Sequence, residues 1–218
     1  MKYNIILFDL DGTLTDPKVG ITTCCQYGLR AVGVDVPDLK ELEQFIGPPL
    51  LPAFQEVYGL DEEQALKAID KFRERFQSVG LYENELLPGV PQMLRTLKEH
   101  GKILATASSK PEVFVKRILQ YFSIDSWFDE IVGSTMDEKH AGKAEVIGEA
   151  LRRLGCAHAD RDSILMVGDR MHDVEGAAAL NIRTVGVTFG YGSRSELEQA
   201  GAWRIADTME ELTDILLG

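Results

Sequence analysis

The sequence predicts a doubly wound α/β fold on a parallel sheet, with a helical segment inserted after the first strand. Short, nearly continuous apolar runs recur at residues 4–9, 102–108, 130–134, 163–169 and 182–188, the pattern of strands covered on both faces. Segments with helical spacing lie between them, at Val90 to His100, Pro111 to Phe122, Gly142 to Leu154 and Val174 to Leu180. Strand alternating with helix implies parallel connections. Residues 16–86 break the rhythm, with several helix-like segments and no convincing strand, which divides the chain into a core of 1–15 and 87–218 and a helical insert of 16–86.

Taken in order, the first strand runs from Asn4 into Asp9-Leu10-Asp11-Gly12. Asp16-Pro17 reads as a cap and first-turn proline opening the insert. The stretch "FIGPPL" at 45–50 separates two helices, and Asp61-Glu62-Glu63-Gln64 has the form of a capping box. "ELLPGV" at 85–90 returns the chain to the sheet. "KILATAS" then closes on Ser108-Ser109-Lys110, and "EIVGS" ends at Ser134, with Lys143 starting the helix beyond it. "SILMVGD" closes on Gly168-Asp169, with Asp173 four residues on, and "IRTVGVT" is the last strand in this reading.

A chain of 218 residues, 44% hydrophobic and 27% charged, can bury a substantial core and is not of disordered or collagenous composition. Its formal net charge of -12 repels a nucleic-acid backbone or an anionic membrane, so neither polymer nor bilayer is the expected partner. The first apolar run stops at Asp9, short of the ~7–15 residues of a signal-peptide core, and no run approaches the ~20 of a membrane span. Cys24, Cys25 and Cys156 form neither an even disulfide framework nor a spaced ligand set, which fits a reducing cytoplasm.

In open parallel sheets, ligands bind beyond the carboxyl ends of the strands. Asp9 and Asp11, two apart on a strand, reach the same volume. Crowded carboxylates hold a proton or share a cation, which suits a nucleophile paired with an acid. Asp169 and Asp173 raise the count to four, and a phosphate dianion approaches such a cluster only if a divalent cation and the Lys143 ammonium offset it. Each signal has a bland reading: a solvated Asp-x-Asp turn, Ser108 and Lys110 as caps for the helix at Pro111, Lys143 as a surface lysine, "GDRMHD" as a mere connection. Their joint occurrence, in this order at strand ends, argues against all four together. His100, His140, His158 and His172 show no ligand spacing and read as surface residues, with His172 notable only as the neighbour of Asp173.

With these residues assembled, the sequence resembles the haloacid dehalogenase superfamily over its whole length. "FDLDGTL" is similar to its first motif, Ser108 to its second with Gly101 seven residues before it, Lys143 to its third, and "GDRMHD" to its acidic fourth. The resemblance implies a Rossmann-like core with residues 16–86 as a helical cap. It also implies roles. Asp9 forms an aspartyl-phosphate, and Asp11 protonates the leaving oxygen and then activates water. Mg2+ is held by the Asp9 carboxylate, the Asp11 backbone carbonyl and Asp169, with Asp173 in support. Ser108, Ser109 and Lys143 bind the transferring phosphoryl group, with backbone N–H groups of the turn at Gly12 completing the cradle. Thr15, Lys18, Gly47, Pro48 and Lys110 are candidates for substrate contacts where cap meets core.

Dehalogenases of the superfamily lack the second aspartate, so Asp11 points to phosphoryl transfer. "FIGPPL", "FRERF", "GLYENELLPG", "SSKP" and "GKAEVI" look most like the bacterial 5′-nucleotidase-like branch and are also close to phosphoglycolate phosphatases. Leu87 stands where tyrosine is commoner, and Ser109 where asparagine is frequent. The resemblance implies a Mg2+-dependent phosphatase acting on a small phosphorylated metabolite, nucleoside 5′-monophosphates first, in a monomer or weak dimer. Phosphoglycolate phosphatase, sugar-phosphate phosphatase and phosphomutase are the alternatives. A phospho-receiver domain shares the acidic cluster, Ser/Thr and Lys but carries no insert of about 70 residues, and a non-catalytic phosphate-binding module would leave a full set of reactive groups unused.

Overall fold

The computed structural model describes residues 3–136 and 142–218, so His140 lies outside the described residues. The chain divides into two compact units, Pro17–Glu85 and the flanking residues up to Asp16 and from Leu86 to Gly218. Strands β1 (Ile5–Phe8), β2 (Thr15–Asp16), β3 (Glu85–Leu86), β4 (Ile103–Thr106), β5 (Ser108–Pro111), β6 (Gly133–Ser134), β7 (Ile164–Gly168), β8 (Arg183–Val187) and β9 (Arg204–Ala206) follow in chain order. The helices are α1 (Lys18–Arg30), α2 (Leu50–Tyr58), α3 (Glu62–Ser78), α4 (Val90–Glu99), α5 (Glu112–Tyr121), α6 (Lys143–Arg153), α7 (Met171–Ala178), α8 (Arg194–Ala200) and α9 (Met209–Leu217).

The larger unit is built on a parallel sheet in the order β4-β1-β7-β8-β9. β1 is central, with Ile5 opposite Ile103 on one side and Ile164 on the other. All four of its residues are buried, because each face of the sheet is covered. Ile5 and Leu7 pack with Met166 against Val146, Ile147 and Leu151 of α6 and Ala177 of α7. Phe8 meets Phe128 edge-on at 6.3 Å. Burying side chains of this size stabilises the fold by about 1.5–3 kcal/mol each. Because β1 lies between strands that come later in the chain, connections diverge on either side of it and open a crevice at the strands' carboxyl ends.

Several details depart from the sequence reading. The expected strand at 130–134 is reduced to an isolated bridge between Ala105 and Glu130 and to β6 pairing with β5. The reason is local: the Thr106 hydroxyl accepts from Val132 N–H at 2.8 Å and donates to Val132 O at 2.9 Å, taking over part of the backbone ladder. Asp16 does not cap α1; Pro17 occupies that position without a side-chain bond. Asp16 instead accepts a hydrogen bond from the Tyr191 hydroxyl. Helix α7 starts at Met171, three residues before its apolar pattern begins. The sequence reading also passed over α8, β9 and α9, short elements whose helices are capped by Ser193 and Thr208.

In the smaller unit, α3 buries Ala65, Ala68, Ile69, Phe72 and Phe76, one helical stripe. At Gly28 of α1 a Cβ would fall 2.3 Å from Ala68 O, so only glycine allows the two backbones this close. The capping box at Asp61 and Gln64 forms as expected, with bonds of 2.8 and 3.2 Å. Residues 46–49 separate the 3-10 turn Leu39–Phe45 from α2, and Phe45 meets Phe54 edge-on at 5.1 Å. Arg75 forks onto Glu83 at 2.6 and 2.9 Å. Cys24 and Cys25 are buried here outside any disulfide, Cys24 Sγ accepting from Arg75 at 3.2 Å, and Cys156 of the larger unit is half-buried. Among the described residues, no helix is long and apolar enough to cross a membrane.

Candidate active site

Three buried carboxylates converge at the carboxyl edge of the sheet. Asp9 continues β1, its N–H donating to Val167 O at 2.9 Å. Asp169 follows β7, and Asp173 lies in the first turn of α7, where its Oδ2 accepts from Arg170 N–H at 3.1 Å. Asp9, Asp169 and Asp173 can each place one carboxylate oxygen within 4.8 Å of the other two. Lys143, the first residue of α6, reaches into this cluster from the next helix of the core. Its ammonium lies 2.8 Å from Asp9 Oδ1 and 2.7 Å from Asp173 Oδ1, and it donates to Ala107 O at 3.1 Å. It is 8% exposed, which rules out the surface-lysine reading.

One ammonium does not balance three carboxylates out of water. Burial pushes the Asp169 carboxyl well above its usual range, and the charges of Asp173 and Asp9 push it further. Burial also raises Asp173, against the pull of Lys143. For Lys143, burial disfavours the charge, but the carboxylates of Asp173 and Asp9 outweigh it and hold the ammonium more firmly than usual. A divalent cation fits this donor set. The Oδ2 of Asp169 accepts from Tyr191 N–H at 2.7 Å, whereas its Oδ1 is buried and has no hydrogen-bond partner. Hard carboxylate oxygens suit Mg2+.

The Asp11 side chain stands apart from this trio. Its Oδ2 pairs with the Lys110 ammonium at 2.7 Å, both side chains being buried. Burial raises the Asp11 carboxyl above its usual range, Lys110 lowers it, and the charge of Asp9 raises it again. Lys110 therefore belongs to the Asp11 side of the site. Ser108 is buried, and its Oγ accepts from Lys110 N–H at 3.3 Å. Neither residue caps α5, which starts after Pro111 with no side-chain cap. Ser109 is half-buried, and its carbonyl accepts from the Ser134 hydroxyl at 2.7 Å.

Gly12 turns the chain after Asp11 with φ +79°, and a Cβ there would fall 2.2 Å from Asp169 Oδ2. Any side chain would thus displace the acidic cluster. The Gly12 N–H donates to the carbonyl of buried Thr15 at 2.7 Å. Lys18, Gly47 and Pro48 belong to the smaller unit, where Lys18 lies 3.6 Å from Glu43, Gly47 is an exposed turn at φ +104°, and Pro48 is half-buried. His100, His158 and His172 are exposed, and the acidic cluster includes none of them.

Sequence reasoning missed Tyr191, whose backbone anchors Asp169. The available signal was "FGYGS" at 189–193, a glycine-flanked aromatic just past the carboxyl end of β8, on the same sheet edge as the other tips.

The haloacid dehalogenase-like hydrolase family model matches residues 6–187. The 5′-nucleotidase of Pseudomonas aeruginosa is 46% identical over 90% of this chain and 88% of its own length. The protein named tyrosine-protein kinase PtkA of Mycobacterium tuberculosis is 36% identical over 97% of this chain and 72% of its own, and the phosphoglycolate phosphatase of Colwellia psychrerythraea is 28% identical over 95% and 94%. A crystal structure described as a predicted phosphatase from Clostridium acetobutylicum superposes with a TM-score of 0.94 at 44% identity, covering 100% of this chain and 99% of that one. The fold is therefore shared with known relatives, and the chain belongs to the haloacid dehalogenase-like hydrolase family.

Proposed function

We propose that this phosphoric monoester hydrolase acts on nucleoside 5′-monophosphates through an aspartyl-phosphate on Asp9, with Mg2+ as cofactor. The observation that carries the reading is the buried meeting of Asp9 with Lys143, Asp169 and Asp173. In this reading the Asp9 carboxylate attacks phosphorus as the bond to the ester oxygen breaks, and Asp11 gives its proton to that oxygen. Asp11 then takes a proton from water, which attacks the phosphoryl group, releases phosphate and restores Asp9. Burial favours the protonated form that the first step requires of Asp11. Lys143 offsets charge beside the attacking carboxylate, and Ser108 and Ser109 cradle the phosphoryl oxygens; the Gly12 N–H, expected to join them, is held by Thr15 O and shapes the turn instead. Asp9, Asp169 and Asp173, with the Asp11 carbonyl, would hold Mg2+, which when bound would neutralise the carboxylates and the incoming dianion.

We take residues 16–86 as the cap that selects the leaving group, with Lys18, Gly47 and Pro48 as candidate substrate contacts within it and Thr15 and Lys110 as candidates in the core. Nucleotides stand ahead of 2-phosphoglycolate because the relative named 5′-nucleotidase is 46% identical and the one named phosphoglycolate phosphatase 28%. Three cysteines outside any disulfide, two of them adjacent and buried, support a reducing, cytoplasmic setting. The test is kcat/KM with Mg2+ for nucleoside monophosphates, 2-phosphoglycolate and hexose phosphates side by side. The nucleotides are expected to lead. A tenfold or greater preference for phosphoglycolate would overturn the choice, and isomerisation of a sugar phosphate without phosphate release would make the protein a mutase.

A further inference from the structure

Tyr191 touches three separate parts of the larger unit. Its backbone N–H donates to Asp169 Oδ2 at 2.7 Å. Its hydroxyl donates to Asp16 Oδ1 at the end of β2. Its ring lies against the turn that follows Asp11, since a Cβ at Gly12 would come within 2.9 Å of the ring carbon Cδ2. Asp16, which the sequence suggested as a helix cap, is thus engaged by a residue about 175 positions further along the chain.

We propose that Tyr191 is a positioning residue for the cation site: its bond to Asp16 fixes the loop after β8 so that its N–H holds one oxygen of Asp169 and turns the other toward the metal. The inference rests on the reading of Asp9, Asp169 and Asp173 as the Mg2+ site. A buried carboxylate with both oxygens free could rotate and spread its charge between cation and neighbours. With Oδ2 held, the partnerless Oδ1 is the atom left to coordinate. A hydroxyl bonded to a carboxylate is charge-assisted and stronger than a neutral pair, so it can restrain a loop end. Groups that orient a metal ligand from behind commonly change metal affinity by about 10–100-fold when removed.

Tyr191→Phe removes the hydroxyl alone, Asp16→Leu removes the acceptor, and Asp16→Asn keeps an acceptor oxygen at the same place. Mg2+ binding to the substrate-free protein is measured by titration calorimetry for each, and far-UV circular dichroism checks folding. The inference expects the dissociation constant to rise about tenfold for Tyr191→Phe and for Asp16→Leu, to stay within about threefold for Asp16→Asn, and kcat of Tyr191→Phe to recover at saturating Mg2+. A loop with only a structural role would lower the melting temperature without moving the Mg2+ constant of the folded protein. Folded Tyr191→Phe that binds Mg2+ within twofold of the parent overturns the inference, and if that variant does not fold, the same result for Asp16→Leu does so. Asp169→Asn separates the two levels: if it binds Mg2+ like the parent, the metal-site reading falls and takes the inference with it. If it loses binding while Tyr191→Phe retains it, only the inference falls.

Discussion

Lys143→Met removes a buried cation and leaves its aliphatic stem in place. In the parent the ammonium lies 2.8 Å from Asp9 and 2.7 Å from Asp173, and without it Asp9, Asp169 and Asp173 face one another with carboxylate oxygens within 4.8 Å. Leaving buried charge uncompensated costs about 3–5 kcal/mol, an upper range because a carboxylate can take up a proton and cap the penalty. For a domain of about 150–250 residues each kcal/mol moves the melting temperature by roughly 2–4 °C, so the expected loss is roughly 6–20 °C at pH 7 in chelator. Two conditions should shrink it. Burial has already raised the carboxyls of Asp169 and Asp173, so lowering the pH toward 4 protonates them and removes the repulsion. Mg2+ replaces the missing charge and stabilises by mass action. Thermal unfolding followed by circular dichroism, in chelator at pH 7 and pH 4 and again with Mg2+, tests each arm. A melting temperature within about 2 °C of the parent in chelator at pH 7 would refute the account of Lys143 as the counter-charge of the cluster.

Two further outcomes follow from the same geometry. Asp9→Asn should stay folded and lose at least about three orders of magnitude in kcat, roughly 4 kcal/mol of transition-state stabilisation; comparable turnover in a well-folded variant would sink the covalent mechanism. Asp169→Asn should abolish Mg2+ binding yet raise the melting temperature of the metal-free protein at pH 7. A carboxyl whose folded pKa is raised loses stability as pH climbs from its ordinary value through that raised one, and asparagine removes the loss. The gap between variant and parent should close toward pH 4, and a variant less stable than the parent in chelator at pH 7 would contradict this.

The sheet and the order of its polar tips are legible in the sequence because both depend on short-range patterns. Apolar runs mark the strands, so Asp9, Ser108 and Asp169 declare themselves as residues at strand ends. Lys143 meets Asp9 across 134 positions, yet its place at the start of a helix after a strand end already put it on the same edge. What local pattern does not encode is how loops close back on the site. The Asp11 carboxylate pairs with Lys110, and Asp16 binds Tyr191 rather than a helix terminus. Each joins residues far apart in the chain, a pairing that local pattern does not register. The short β9 escaped notice for a different reason: its exposed Arg204 interrupts the apolar run that marks buried strands.

The central place of β1 has a consequence for how the protein is made. Ile5 pairs with Ile103 and Ile164, so this strand lacks its far neighbour until about 160 further residues are synthesised. At roughly 5–20 residues per second, that is a wait of about 8–30 s with an apolar segment unpaired. The three helices of residues 17–85 close their own contacts among themselves in the meantime. Long-range parallel pairing of this kind slows folding and leaves the nascent chain dependent on protection from aggregation. The strand that carries Asp9 is the earliest part of the sheet to appear and among the last to be satisfied.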